Sequence, residues 1–148
     1  TQATFYYRFY LTRALADAGM ANAYYGQLAP WRDMLKIGLT TFAEKPEPTR
    51  SDCHAWSASP NYDFLSTICG IMPGSAGFKT VRIEPALGEL NEVTAAMPHP
   101  DGIIEVSLKK SGKNSMHAEI WLPKKLSGEF IWMGKTRKLK DGKQTVEL

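Results

Sequence analysis

The chain has 148 residues, 43% of them hydrophobic and 22% charged, which suits one ordinary folded domain or two small ones and excludes a disordered tail. No apolar run approaches the roughly 20 residues that cross a bilayer, so no membrane span is expected. The formal net charge is only +3, and all of the excess falls after residue 70.

Thr1 opens inside a helical pattern, so the chain is expected to be a piece of a longer protein, with any signal segment lying upstream. Residues 4–37 read as helical. Thr4 is a candidate cap, and Phe5, Phe9, Leu11 and Leu15 recur at spacings of about three to four residues. Gly19 is placed to end that helix in a left-handed conformation. A second helical stretch runs from Ala21 to Leu28, with Tyr24, Tyr25 and Leu28 on its apolar face. Pro30 restarts the helix where its missing N–H is harmless, and Trp31, Met34 and Leu35 continue it to Gly38.

Residues 38–59 break the pattern and read as a long loop, a kind of segment that is usually functional in compact domains. Ser59-Pro60 then looks like a cap followed by proline at the first helical position. The helix behind it carries Tyr62, Phe64, Leu65 and Ile68 and stops at Gly70.

From about residue 78 the period shortens to two. Val81 and Ile83, then Ile104, Val106 and Leu108, then Met116, Ala118, Ile120 and Leu122, then Phe130 and Trp132 alternate with polar neighbours. Asp101-Gly102 and Asp141-Gly142 read as hairpin turns between such runs. The fold class is therefore α+β, helices first and an antiparallel β-sandwich after them, with the division placed between residues 1–76 and 77–148.

The chemistry is expected in the loop. It collects Glu44, Glu47, Arg50, Asp52, His54 and Trp56, and a carboxylate, an imidazole and an indole together suit a sugar site. The carboxylate activates water, the imidazole bonds hydroxyls and the ring stacks on a pyranose face. Each has a structural alternative: Glu44 a solvated acid, His54 a satisfied histidine, Trp56 a core residue. Arg50 and Asp52 are read as a salt bridge or cap that pins the loop.

Other chemistries fit less well. Adjacent Cys53 and His54 point apart, which argues against a nucleophilic dyad. His54, His99 and His117 lack metal-type spacing, and Gly70, Gly74 and Gly77 form no phosphate loop, so neither a metal nor a cofactor is expected. Cys53 and Cys69 lack CxxC spacing and read as buried free thiols, with a mutual disulfide as the alternative. Lys135, Arg137, Lys138, Lys140 and Lys143 crowd a turn without the interleaved aromatics that stack on bases. They read as solvated charges that discourage edge pairing, and no nucleic acid is expected.

Gly-Leu-Thr-Thr-Phe-Ala-Glu (38–44), Ser-Asp-Cys-His-Ala-Trp-Ser (51–57), Gly-Ile-Met-Pro (70–73) and Gly-Phe-Lys (77–79) resemble the C-terminal part of bacterial α-L-rhamnosidases, glycoside hydrolase family 78. The resemblance implies the last helices of an (α/α)6 catalytic barrel followed by a C-terminal β-sandwich. It implies that Glu44 is the general base of an inverting hydrolysis, that His54 contacts the rhamnose, and that Trp56 lines or braces the same pocket. The substrate so implied is a rhamnose-containing glycoside or polysaccharide. Ala43 departs from the family's common Trp before the glutamate. The general acid and most of the barrel are expected outside this chain. The chain alone is then expected to be inactive and to self-associate through uncovered helix faces bearing Phe5, Phe9, Tyr24 and Trp31. The alternative reading is a non-catalytic carbohydrate-binding or structural β-sandwich module, with Trp121 and Trp132 as candidate stacking residues.

Overall fold

The computed structural model describes residues 3–148. The chain falls into two compact units, one ending at Phe64 and the other spanning Leu65–Leu148. Helices precede strands, in the α+β order expected. No helix among the described residues is long and apolar enough to cross a membrane.

The first unit begins with α1 (Phe5–Asp17), where the Thr4 hydroxyl accepts from the Tyr7 N–H at 3.4 Å. After Gly19, which has φ +71°, come a 3-10 turn (Ala21–Ala23), α2 (Tyr24–Gln27) and α3 (Ala29–Lys36). The sequence of α1 itself carries apolar and aromatic residues around its whole circumference, so periodicity alone does not select its inner face. The buried residues are Phe5, Arg8 and Thr12, not the Leu11/Leu15 pair, of which Leu11 is exposed. Trp31 anchors this packing: the Phe5 ring lies 5.1 Å away, the Arg8 guanidinium sits 5.8 Å from the indole centroid, and Nε1 donates to the Ser57 carbonyl at 2.7 Å.

Phe5, Tyr24 and Trp31 are therefore buried, contrary to the expectation that their faces lie open, while Phe9 is half-buried. The open aromatic face of α1 is instead Tyr6, Tyr7 and Tyr10. The unit closes with a 3-10 turn (Ala55–Ala58) and α4 (Ser59–Asp63). Ser59 does not cap α4. The preceding 3-10 turn already gives it helical dihedrals (φ −52°, ψ −30°), so Ala58 holds the cap position and makes no side-chain bond.

A π-type turn (Phe64–Ile68) leads to Gly70 at φ +70°, and the second unit is built from two four-stranded sheets. One has the order β1 (Ile71–Pro73), β2 (Thr80–Ile83), β6 (Ser127–Trp132), β7 (Lys135–Leu139). The other has the order β3 (Glu92–His99), β4 (Gly102–Lys110), β5 (Met116–Leu122), β8 (Gly142–Glu147). Val81 and Ile83 of one sheet and Ile104, Val106, Leu108, Met116, Ala118, Ile120 and Leu122 of the other alternate with less buried neighbours as read, whereas in β6 Phe130, Ile131 and Trp132 are buried in succession. Pairing is antiparallel except between β2 and β6, which run parallel. Those two strands are separated by the whole β3–β5 excursion into the other sheet, which frees their relative direction from hairpin geometry.

The turn readings need adjustment. Across the β3–β4 hairpin His99 faces Gly102, so the loop residues are Pro100-Asp101. Asp141-Gly142 makes no hairpin, because β7 and β8 lie in different sheets. Gln144 holds that crossover by bonding both the N–H and the carbonyl of Lys140. A tight hairpin that the sequence hid joins β6 to β7 through Met133 (φ 49°) and Gly134 (φ 79°), the paired positive angles of a type I′ turn. The basic cluster consequently divides. Lys135, Arg137 and Lys138 sit on the edge strand β7 and Lys143 on the edge strand β8, with Lys138 and Lys143 paired to Glu129 and Glu119.

Candidate functional site

Residues 38–54 fold back on themselves. Gly38 ends α3 at φ +81°, and two short runs then face each other: the Glu44 N–H donates to the Ser51 carbonyl at 2.9 Å, and the His54 N–H donates to the Phe42 carbonyl at 2.7 Å. The Thr41 hydroxyl donates to the Asp52 carbonyl between them. The turn at the far end is held by Thr49, whose N–H donates to the Glu47 carboxylate and whose hydroxyl donates to the Ser51 carbonyl. Ala43, beside Glu44 in the chain, is buried. Backbone bonds thus fix the base of the Glu44 side chain, although the segment contains no regular strand.

The Glu44 side chain is only 11% exposed, whereas that of Arg50 is 77% exposed. Arg50 grips both carboxylate oxygens, Nε to Oε2 and Nη2 to Oε1, each at 2.6 Å. The hydrogen bond from Arg50 is the main reason the Glu44 pKa lies below the ordinary glutamate range. Partial burial opposes the shift, and the charges of Arg50, His54 and Lys45 reinforce it. Glu44 is therefore ionised at neutral pH. This pairing corrects the sequence reading, in which Arg50 acted together with Asp52. The hairpin brings residue 50 across from residue 44, a contact that linear spacing over a Pro-rich turn does not announce.

His54 lies half-buried with its ring 4.3 Å from the Trp56 ring, tilted at 55°. Trp56 is 47% exposed, so it is not a core residue. It meets Tyr6 of α1 at 5.4 Å, and an open groove is lined by Tyr6, Phe9, Ala55, Trp56, Ala58 and Ser59. Tyr6 escaped the sequence analysis, which followed the Phe5/Phe9 spacing; the Tyr6–Tyr10 spacing of four was its signal, and the two hydroxyls lie 3.1 Å apart. An ionised carboxylate, an imidazole and exposed aromatic faces accordingly gather on one unit. That set can accept a proton, bond hydroxyls and stack on an apolar sugar face.

Other candidates lie apart from this set. Cys53 and Cys69 are free thiols. Cys69 is buried, with its pKa pushed up to about 11 by burial, while Cys53 is exposed, contrary to the buried reading. Trp132 is buried and its Nε1 donates to the Asn114 carbonyl, whereas Trp121 stands 48% exposed between Glu105 on β4 and Lys143 on β8.

Residues 70–147 match the family model described as the bacterial alpha-L-rhamnosidase C-terminal domain, just over half of the chain. The chain belongs to that family. Solved rhamnosidases share the fold of this C-terminal domain and of the helices before it. The native α-L-rhamnosidase of Aspergillus terreus superposes with a TM-score of 0.83 at 18% identity, over 93% of this chain and 18% of that one. The family 78 rhamnosidase of Bacillus sp. GL1 gives 0.80 at 28% identity, over 86% of this chain and 15% of that one. The Streptomyces avermitilis α-L-rhamnosidase, solved in complex with L-rhamnose, gives 0.77 at 18% identity, over 93% and 17%. This chain thus spans less than a fifth of the length of each of these three enzymes. No curated protein matches it by sequence. The candidate residues Glu44, His54 and Trp56 all precede the segment that the family model matches.

Proposed function

We propose that this chain is the C-terminal part of an inverting α-L-rhamnosidase and supplies its general base, Glu44. The observation that carries the reading is the Glu44 carboxylate, held ionised and fixed at its backbone, in a chain of the rhamnosidase family. In this reading residues 1–76 hold the last helices and active-site loop of an (α/α)6 barrel, and residues 77–148 hold the sandwich, to whose first sheet β1 (Ile71–Pro73) also belongs.

Glu44 takes a proton from water as the water oxygen attacks the anomeric carbon. The glycosidic C–O bond breaks with its electron pair, and the leaving oxygen is protonated by a second carboxylic acid. Inverting enzymes place that acid roughly 6.5–9.5 Å from the base, leaving room for the water. In this proposal the acid comes from the part of the enzyme before residue 1. His54 contacts hydroxyls of a terminal rhamnose, and Trp56 forms or braces the pocket wall beside it. The substrate is a rhamnose-containing glycoside or polysaccharide.

Glu44→Gln keeps the shape and removes the proton acceptor. In the full-length enzyme it should lower turnover by about 10²-fold or more, the range typical of a lost general base, with an unchanged circular dichroism spectrum. Near-normal turnover in that variant overturns the assignment.

A further inference from the structure

We propose that Arg50 is the positioning residue for Glu44, clamping its carboxylate in one orientation so that the lone pairs turned away from the guanidinium face the attacking water. The inference rests on Glu44 being the base.

The geometry is that of a fork on a fork. Nε and Nη2 each bond a different oxygen of the same carboxylate at 2.6 Å, a planar arrangement that a lysine cannot reproduce. Each carboxylate oxygen carries two acceptor sites, so a bidentate arginine uses one on each and leaves the other free. Without the fork the terminal torsion of a glutamate is broad and roughly two-fold, and the free lone pairs have no fixed direction.

The two partners are unequally placed. Glu44 is largely covered, and Arg50 reaches it from solvent across the turn that joins their two backbone-paired runs. Most surface ion pairs contribute little, but a bidentate pair on a largely covered carboxylate is the exception that carries orientation as well as charge. The charged groups facing Glu44 are Arg50, His54 and Lys45, and among them the hydrogen bonds to the carboxylate oxygens come from Arg50. Loss of Arg50 should therefore raise the titration midpoint of Glu44 and also release its orientation. A residue that merely pinned the loop through the same ion pair would raise that midpoint as well, so the orientation is read from the kcat plateau, which such a residue would leave untouched.

The test has two parts. In the 148-residue chain, the carboxyl carbon of Glu44 is titrated by NMR in the native protein, Arg50→Gln and Arg50→Lys. The midpoint should rise in Arg50→Gln and rise less in Arg50→Lys, which keeps the charge. In the full-length rhamnosidase the same variants are assayed across pH. Arg50→Gln should move the acidic limb of kcat to higher pH and lower the plateau by about 10- to 100-fold, the cost of a misdirected reacting group, with KM little changed. Arg50→Lys should recover the limb and not the plateau. An unchanged acidic limb in Arg50→Gln, or full recovery of the plateau by Arg50→Lys, overturns the positioning role. If Glu44→Gln is active in the same assay, the reading of Glu44 as base fails first and the role of Arg50 with it. If Glu44→Gln is inactive while Arg50→Gln behaves as native, only the role of Arg50 fails.

Discussion

Asp63 is completely buried at the end of α4, with one oxygen 3.4 Å from Arg13 of α1 and the buried Tyr24 beside it. Burial pushes its carboxyl up from 3.8 to about 6, and the arginine only partly opposes this. Because the folded-state pKa lies above the unfolded one, the folded chain binds the proton more tightly. The contribution to stability is present below about pH 3.8 and is lost as pH rises through about 6. Over that window it amounts to on the order of 3 kcal/mol. Asp63→Asn removes the buried charge, so its urea midpoint should change less between pH 4 and pH 7 than that of the native chain. Equal slopes in the two proteins would refute the account. Chemical identity was legible at this scale, and partnership was not. A glutamate, a histidine and a tryptophan in one loop suggested sugar chemistry, yet the hand of Arg50 on Glu44 depends on how a 17-residue segment closes.

Among the elements, β6 is the most constrained. Gly128 faces Val81 across the parallel pair, and a Cβ there would come within 1.9 Å of the Val81 carbonyl oxygen. Gly128→Ala must therefore push β2 and β6 apart and should destabilise the sandwich by about 3 kcal/mol, at the upper end of overpacking costs. Gly112, in the β4–β5 loop, has Ser115 atoms no nearer than 3.9 Å, so Gly112→Ala should shift the thermal midpoint little. Comparable losses in the two variants would contradict the close approach. The strands themselves were legible because burial on one face imposes a period of two. The parallel pairing was not, since it joins residues about 47 positions apart, such as Val81 with Gly128, and leaves no local pattern. The Met133-Gly134 hairpin was missed because methionine is not a turn residue; φ 49° at Met133 is imposed by the strands on either side.

At the level of the whole molecule, this chain corresponds to 15–18% of three solved rhamnosidases. In the proposed reading it holds one of the two carboxylic groups that inversion needs. The 148-residue chain alone should therefore release no more nitrophenol from an aryl α-L-rhamnoside than buffer does, and measurable turnover would refute that division of the machinery.

Local order is what the amino-acid sequence settles here. Helices precede strands, the motifs around residues 38–57 and 70–79 carry the resemblance, and the candidate side chains are named, because each depends on neighbours a few positions away. Folding decides the rest: which face of α1 is buried, which sheet each strand joins, and which cation holds the Glu44 carboxylate. Those outcomes depend on groups brought together by chain closure and burial, and the free energy of such contacts leaves no trace in residue spacing.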